Sequence, residues 1–87
     1  MPSRRQLQLS ADAETAADHL LLDVLRALNR RGHETPIRNF AALAALARKI
    51  DAVMQEQAKA AIAEGETYAT LGHLLRISRQ AATKRFK

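Results

Sequence analysis

Apolar residues recur at intervals of three and four along most of this chain, and the breaks in that rhythm mark where helices begin and end. Ser10 is a good N-cap, with Asp12 and Glu14 in the following turn, where negative charge complements the helix dipole. From there Ala17, Leu20, Leu21, Val24, Leu25 and Leu28 fall on one face, and Arg30, Arg31 and Gly32 supply a cationic last turn and a stop. The pattern predicts a helix over Ala11–Arg31. Residues 1–10 show no clear periodicity and are expected to form a loose arm, with Leu7 and Leu9 available to pack on the body.

A second start stands at Thr35, which can cap, and Pro36, whose missing N–H costs nothing at the first helical position. No breaker follows until Gly65, a run of 29 residues. Kept helical throughout, it would be about 43 Å long at the α-helical rise. Phe40, Leu43, Ala47, Ile50, Met54, Ala58 and Ala61 form a heptad-like seam along it, and Leu46, Val53 and Ala60 form a second beside it. The short Gly32–Thr35 connection implies that the first helix folds back on the long one as a hairpin. Two adjacent stripes also leave room for a second chain, one stripe serving the hairpin and the other a homodimer.

After Gly65 the pattern shortens to two helices and a tight turn, spanning about Thr67 to Phe86. Thr67 caps the first, and Leu71 and Leu75, four apart, give it one buried face. A glycine inside a helix costs about 1 kcal/mol against alanine, so Gly72 points to a close approach between crossing helices. Ile77 can plug their angle. Ser78 then caps a helix whose inward residues are Ala82 and Phe86, leaving Arg79, Gln80, Thr83 and Lys84 outward.

Composition sharpens this picture. Three Gly and two Pro among 87 residues leave an all-α fold, in one domain divided into an arm (1–10), a helical hairpin (11–64) and a C-terminal two-helix unit (65–87). The net charge of +5 is unevenly spread: Arg76, Arg79, Lys84, Arg85 and Lys87 face only Glu66 after Gly65, whereas the first 64 residues nearly balance. The cationic end is the one expected to meet a polyanion.

The same segment resembles the helix-turn-helix family of DNA-binding proteins. It looks most like the variety common in actinobacterial regulators, through Tyr68-Ala69-Thr70-Leu71-Gly72, Ile77-Ser78-Arg79-Gln80-Ala81-Ala82 and Arg85-Phe86. The likeness covers about 20 residues. It departs from the family at Arg76, where the turn usually carries glycine, and the support that many members gain from a further helix or wing falls here to the long helix. The resemblance implies that the helix from Arg79 enters the major groove of double-stranded DNA. Arg79 is suited to guanine O6 and N7 and Gln80 to adenine N6 and N7. Thr83 suits a thymine methyl or a phosphate, and Lys84, Arg85 and Lys87 suit the DNA backbone. Ser78 and Thr67, at helix starts, can present backbone N–H groups to phosphate. A solvated charge or an ion pair with Glu66 is the other reading of Arg85.

Other chemistry finds little footing. With no Cys and with His19, His33 and His73 scattered, no metal site or cofactor is expected. His73 reads as a surface residue. Asp12, Glu14, Asp18 and Asp23 read as a solvated face that repels DNA rather than as acid–base machinery, and no phosphate loop or nucleophile motif occurs, so no enzyme is expected. No apolar run reaches the roughly 20 residues of a membrane span. The expectation is a cytoplasmic, nucleoid-associated, dimeric repressor that reads an inverted repeat and has no small-molecule ligand. An architectural adaptor, such as a plasmid partition or phage packaging subunit, and a DNA-free helical interaction module are the alternatives.

Overall fold

A computed structural model describes residues 1–87 as four helices without strands. They are α1 (Arg4–Arg30), α2 (Pro36–Ala63), α3 (Tyr68–Leu75) and α4 (Arg79–Phe86). The all-α expectation holds. The boundaries of α2, α3 and α4 follow the start and stop signals closely, because each is set by local chemistry: Pro36 opens α2, and Thr67 and Ser78 cap α3 and α4 through their side chains. Thr35 contributes less than expected. Its side chain makes no cap bond, and its carbonyl simply receives the Asn39 N–H.

The expected arm does not exist as such. Helix α1 begins at Arg4, capped by Ser3, whose hydroxyl accepts from the Gln6 N–H while the Gln6 side chain accepts from the Ser3 N–H. This reciprocal pair is a capping box, and it satisfies two otherwise orphaned donors. Ser10 therefore lies inside the helix rather than at its start. Two further contacts hold the early turns down: Arg5 makes a bidentate ion pair with Glu66, and Gln6 Nε2 donates to Thr70 Oγ1 at 3.1 Å.

With its first turn against α3 and its last joined to α2 by a short link, α1 runs antiparallel to α2. The link is tied by Arg31 Nε donating to Asn39 Oδ1 at 2.9 Å and by Glu34 between Arg31 and Arg38. Near it Val24 and Leu28 are half-buried and share a shallow hollow with Ala42, Leu43 and Leu46. The hairpin is open elsewhere. No residue of α1 is buried, Leu20 on α1 stays 65% exposed and Phe40 on α2 stays 66% exposed. The hairpin closes near the link, where Val24 and Leu28 meet the start of α2, and elsewhere the apolar seams are not closed against one another.

The buried core sits at the other end. It consists of Ala58 from α2 with Ala82 and Phe86 from α4, ringed by Met54, Tyr68, Leu71, Leu75 and Ile77. The C-terminal half of the α2 seam therefore serves as the shelf on which the two short helices stand. The long helix supplies the support that the sequence required of it.

Candidate nucleic-acid interface

The geometry of α3 and α4 follows from a few residues. Thr67 Oγ1 accepts the Thr70 N–H at 3.2 Å, fixing the start of α3. At its end Arg76 takes the left-handed conformation, φ 59° and ψ 38°. The Ile77 N–H bonds the Gly72 carbonyl at 2.9 Å and the Arg76 N–H bonds the His73 carbonyl at 3.2 Å. That pair of bonds is a Schellman motif, which ends a helix and turns the chain sharply. A left-handed arginine carries a penalty of about 1–2 kcal/mol that glycine escapes.

Gly72 packs directly against the backbone of the turn that leads into α4. A Cβ on it would lie 2.9 Å from the Ile77 carbonyl oxygen and 3.0 Å from that of Ser78. Any side chain there would push the turn away, so the angle between α3 and α4 depends on the bare Cα. Ser78 Oγ accepts the Ala81 N–H at 3.0 Å and starts α4. Ala82 and Phe86, at 0% and 4% exposure, then fix one side of α4 against α2 and α3.

The opposite side is open. Arg79, Gln80, Thr83, Lys84 and Lys87 line one shallow hollow on the surface, with no apolar residue among them. Five of the eight residues singled out in the sequence are thus brought together. The Thr83 hydroxyl donates to the Arg79 carbonyl at 2.9 Å, which orients its side chain along the helix. Arg79, Lys84 and Lys87 take part in none of the ion pairs.

Comparison with family models, with curated proteins and with solved structures finds no match to this chain.

The remaining three residues stand apart from the hollow. Ser78 and Thr67 spend their hydroxyls on capping, and Thr67 also donates to Thr70 Oγ1 at 3.2 Å. Arg85 turns back toward the body, where it pairs with Asp51, lies 5.3 Å over the Phe86 ring and has its carbonyl bonded by Gln55 Nε2. Its carboxylate partner is Asp51 on α2, not Glu66, because Glu66 is already held by Arg5. That hydrogen bond lowers the Glu66 pKa below the ordinary carboxylate value and raises that of Arg5.

Two features were not anticipated. Arg5 and Gln6 brace the start of α3, and the sequence signal was available in Ser3-x-x-Gln6, a capping-box spacing. His73, expected at the surface, is half-buried, and its Nε2 is enclosed without a hydrogen-bond partner. Its face of α3 lies toward protein rather than water.

Proposed function

We propose that this chain is a sequence-specific double-stranded DNA-binding protein of the helix-turn-helix kind, with α4 as the recognition helix in the major groove. The observation that carries the reading is the two-sided character of α4: one side is locked by Ala82 and Phe86, and the other presents Arg79, Gln80, Lys84 and Lys87 exposed, with the half-buried Thr83 among them. A recognition helix needs both, since base-edge hydrogen bonds demand a fixed angle and backbone contacts demand free cations. Arg79 and Gln80 occupy the first turn of α4, the part that meets base edges when such a helix docks by its N-terminal end. Lys84 and Lys87, farther along, are suited to phosphates.

The biological role proposed is that of a transcriptional repressor acting as a homodimer on an inverted repeat. One short helix reads only a few base pairs, and two-fold pairing doubles the site. Selection of bound duplexes from a random pool tests both parts. The wild type should enrich a defined sequence arranged as two inverted halves. Arg79→Ala should lose about 1–3 kcal/mol on that sequence and relax the choice at one base pair. An unchanged preference in Arg79→Ala would remove α4 from the reading role. Enrichment of tandem sites with spreading would favour the architectural adaptor instead.

A further inference from the structure

The main unexplained feature of the molecule is the open side of α1 and α2. A folded monomer of 9.6 kDa exposes about 5,100 Å² by the general scaling of surface with mass. This chain exposes 7149 Å², an excess of about 2,000 Å² over that scaling. Its radius of gyration is 15.7 Å, against about 12 Å for a compact domain of this length. The excess is apolar where it matters. Leu20, Leu21 and Leu25 on α1 and Phe40, Ile50 and Val53 on α2 are all at least half exposed. All six belong to the apolar face and seams that the sequence lays along these helices.

We infer that a second copy of this chain covers this side, so that the two hairpins close into one four-helix bundle around a shared core. Burying the excess on each of two copies gives an interface of about 4,000 Å² in total, within the range of obligate homodimers and far above that of transient contacts. Charge favours the same occupant. Asp18 and Asp23 on α1 have no ion-pair partner within the chain, and neither have Arg48 and Lys49 on α2. At helical spacing Asp18 borders the apolar face of α1 and Lys49 borders the seams of α2, so unpaired charges of opposite sign edge the open side, where a two-fold arrangement lets each meet the other on the second copy. An anionic lipid surface is disfavoured by the carboxylates of α1, since helices that lie on membranes carry cationic flanks. The hairpin is open in one chain because its core is built from two.

The test uses the full chain without DNA, so its outcome is independent of whether α4 reads sequence. Sedimentation equilibrium at micromolar concentration should give a single species of about twice 9.6 kDa. The urea midpoint of unfolding should rise with concentration, by about 0.5–1 M for each tenfold increase in protomer, because the folded state is a dimer and the unfolded state is not. Phe40→Glu and Leu21→Glu should abolish the dimer or prevent folding, while Arg79→Ala should leave it intact. A folded 9.6 kDa species with a concentration-independent midpoint would overturn the inference. Trimers or larger assemblies, or a dimer that survives both glutamate substitutions, would overturn it equally.

Discussion

Substitution of Gly72 by alanine isolates the contact on which the angle of α4 depends. The added methyl would meet the Ile77 and Ser78 carbonyl oxygens at 2.9 and 3.0 Å, and the Ser78 carbonyl carbon at 3.2 Å. All three are backbone atoms. They are held by the Ile77 N–H to Gly72 bond and by the Ser78 cap, so they cannot swing aside as the end of a flexible side chain would. Forcing a methyl into a filled site costs about 1–3 kcal/mol. The better helix propensity of alanine offsets about 1 kcal/mol of this. A net loss of up to about 2 kcal/mol follows, which for a domain of this size lowers the melting temperature by up to about 15 °C. The effect on DNA affinity should be larger than stability alone accounts for, because relief of the overlap shifts the first turn of α4, where Arg79 and Gln80 sit. The assay is thermal melting at fixed protomer concentration together with DNA titration at a temperature where both proteins are folded. A Gly72→Ala protein that melts at or above the wild type and binds DNA equally well would refute the reasoning.

Other substitutions test the remaining parts. Arg76→Gly should stabilise the fold by about 0.5–1 kcal/mol, as the left-handed penalty disappears and the added freedom of the unfolded chain returns part of the gain; a lower urea midpoint in the variant would contradict it. The Glu14 pairing lost in that variant is between largely exposed groups and weighs little. Lys84→Ala should weaken binding alike on all duplexes and reduce the salt slope of affinity by about 1, measured by titration at several ionic strengths. Because Arg5 lowers the pKa of Glu66 in the folded state, this pair stabilises the protein fully above the unfolded carboxyl value, and the contribution fades as pH falls through the folded one. Urea midpoints followed from about pH 5 to pH 3 should therefore fall less steeply in Glu66→Gln than in the wild type.

How far the fold could be read from the sequence depended on the range of the interactions involved. The starts of α2, α3 and α4, the turn at Arg76 and the inward pair Ala82 and Phe86 are fixed by residues within a few positions of one another, and each was legible. The start of α1 was also local, since Ser3 and Gln6 are three apart, yet the stronger-looking Ser10 with its acidic first turn competed with it. What decides between them is tertiary: Glu66 and Thr70 reach Arg5 and Gln6 across more than sixty residues. The same limit explains the hairpin. Periodicity reports that a face is apolar but not what covers it, and the seams of α1 and α2 read identically whether the covering helix comes from the same chain or another. Arg85 and His73 were misplaced because their surroundings, Asp51 with Gln55 for one and a protein-facing side of α3 for the other, are contributed by packing rather than by neighbours in sequence.

The ion pairs divide the charges of the C-terminal segment into two sets. The C-terminal segment carries five cations, but the framework answers two of them: Glu14 on α1 meets Arg76 at 3.7 Å and Asp51 on α2 holds Arg85. A third carboxylate, Glu66, is itself withdrawn by Arg5. What remains is a set of three unpaired cations, Arg79, Lys84 and Lys87, all on the outward side of α4. A carboxylate near that side would weaken phosphate binding directly, whereas one paired behind it does structural work and leaves the field in front positive. The acidic residues therefore do more than balance the formal charge. By pairing Arg85, Asp51 helps hold the far end of α4 to the body, and the free cations are left concentrated on the one surface that the packing of Ala82 and Phe86 keeps rigid.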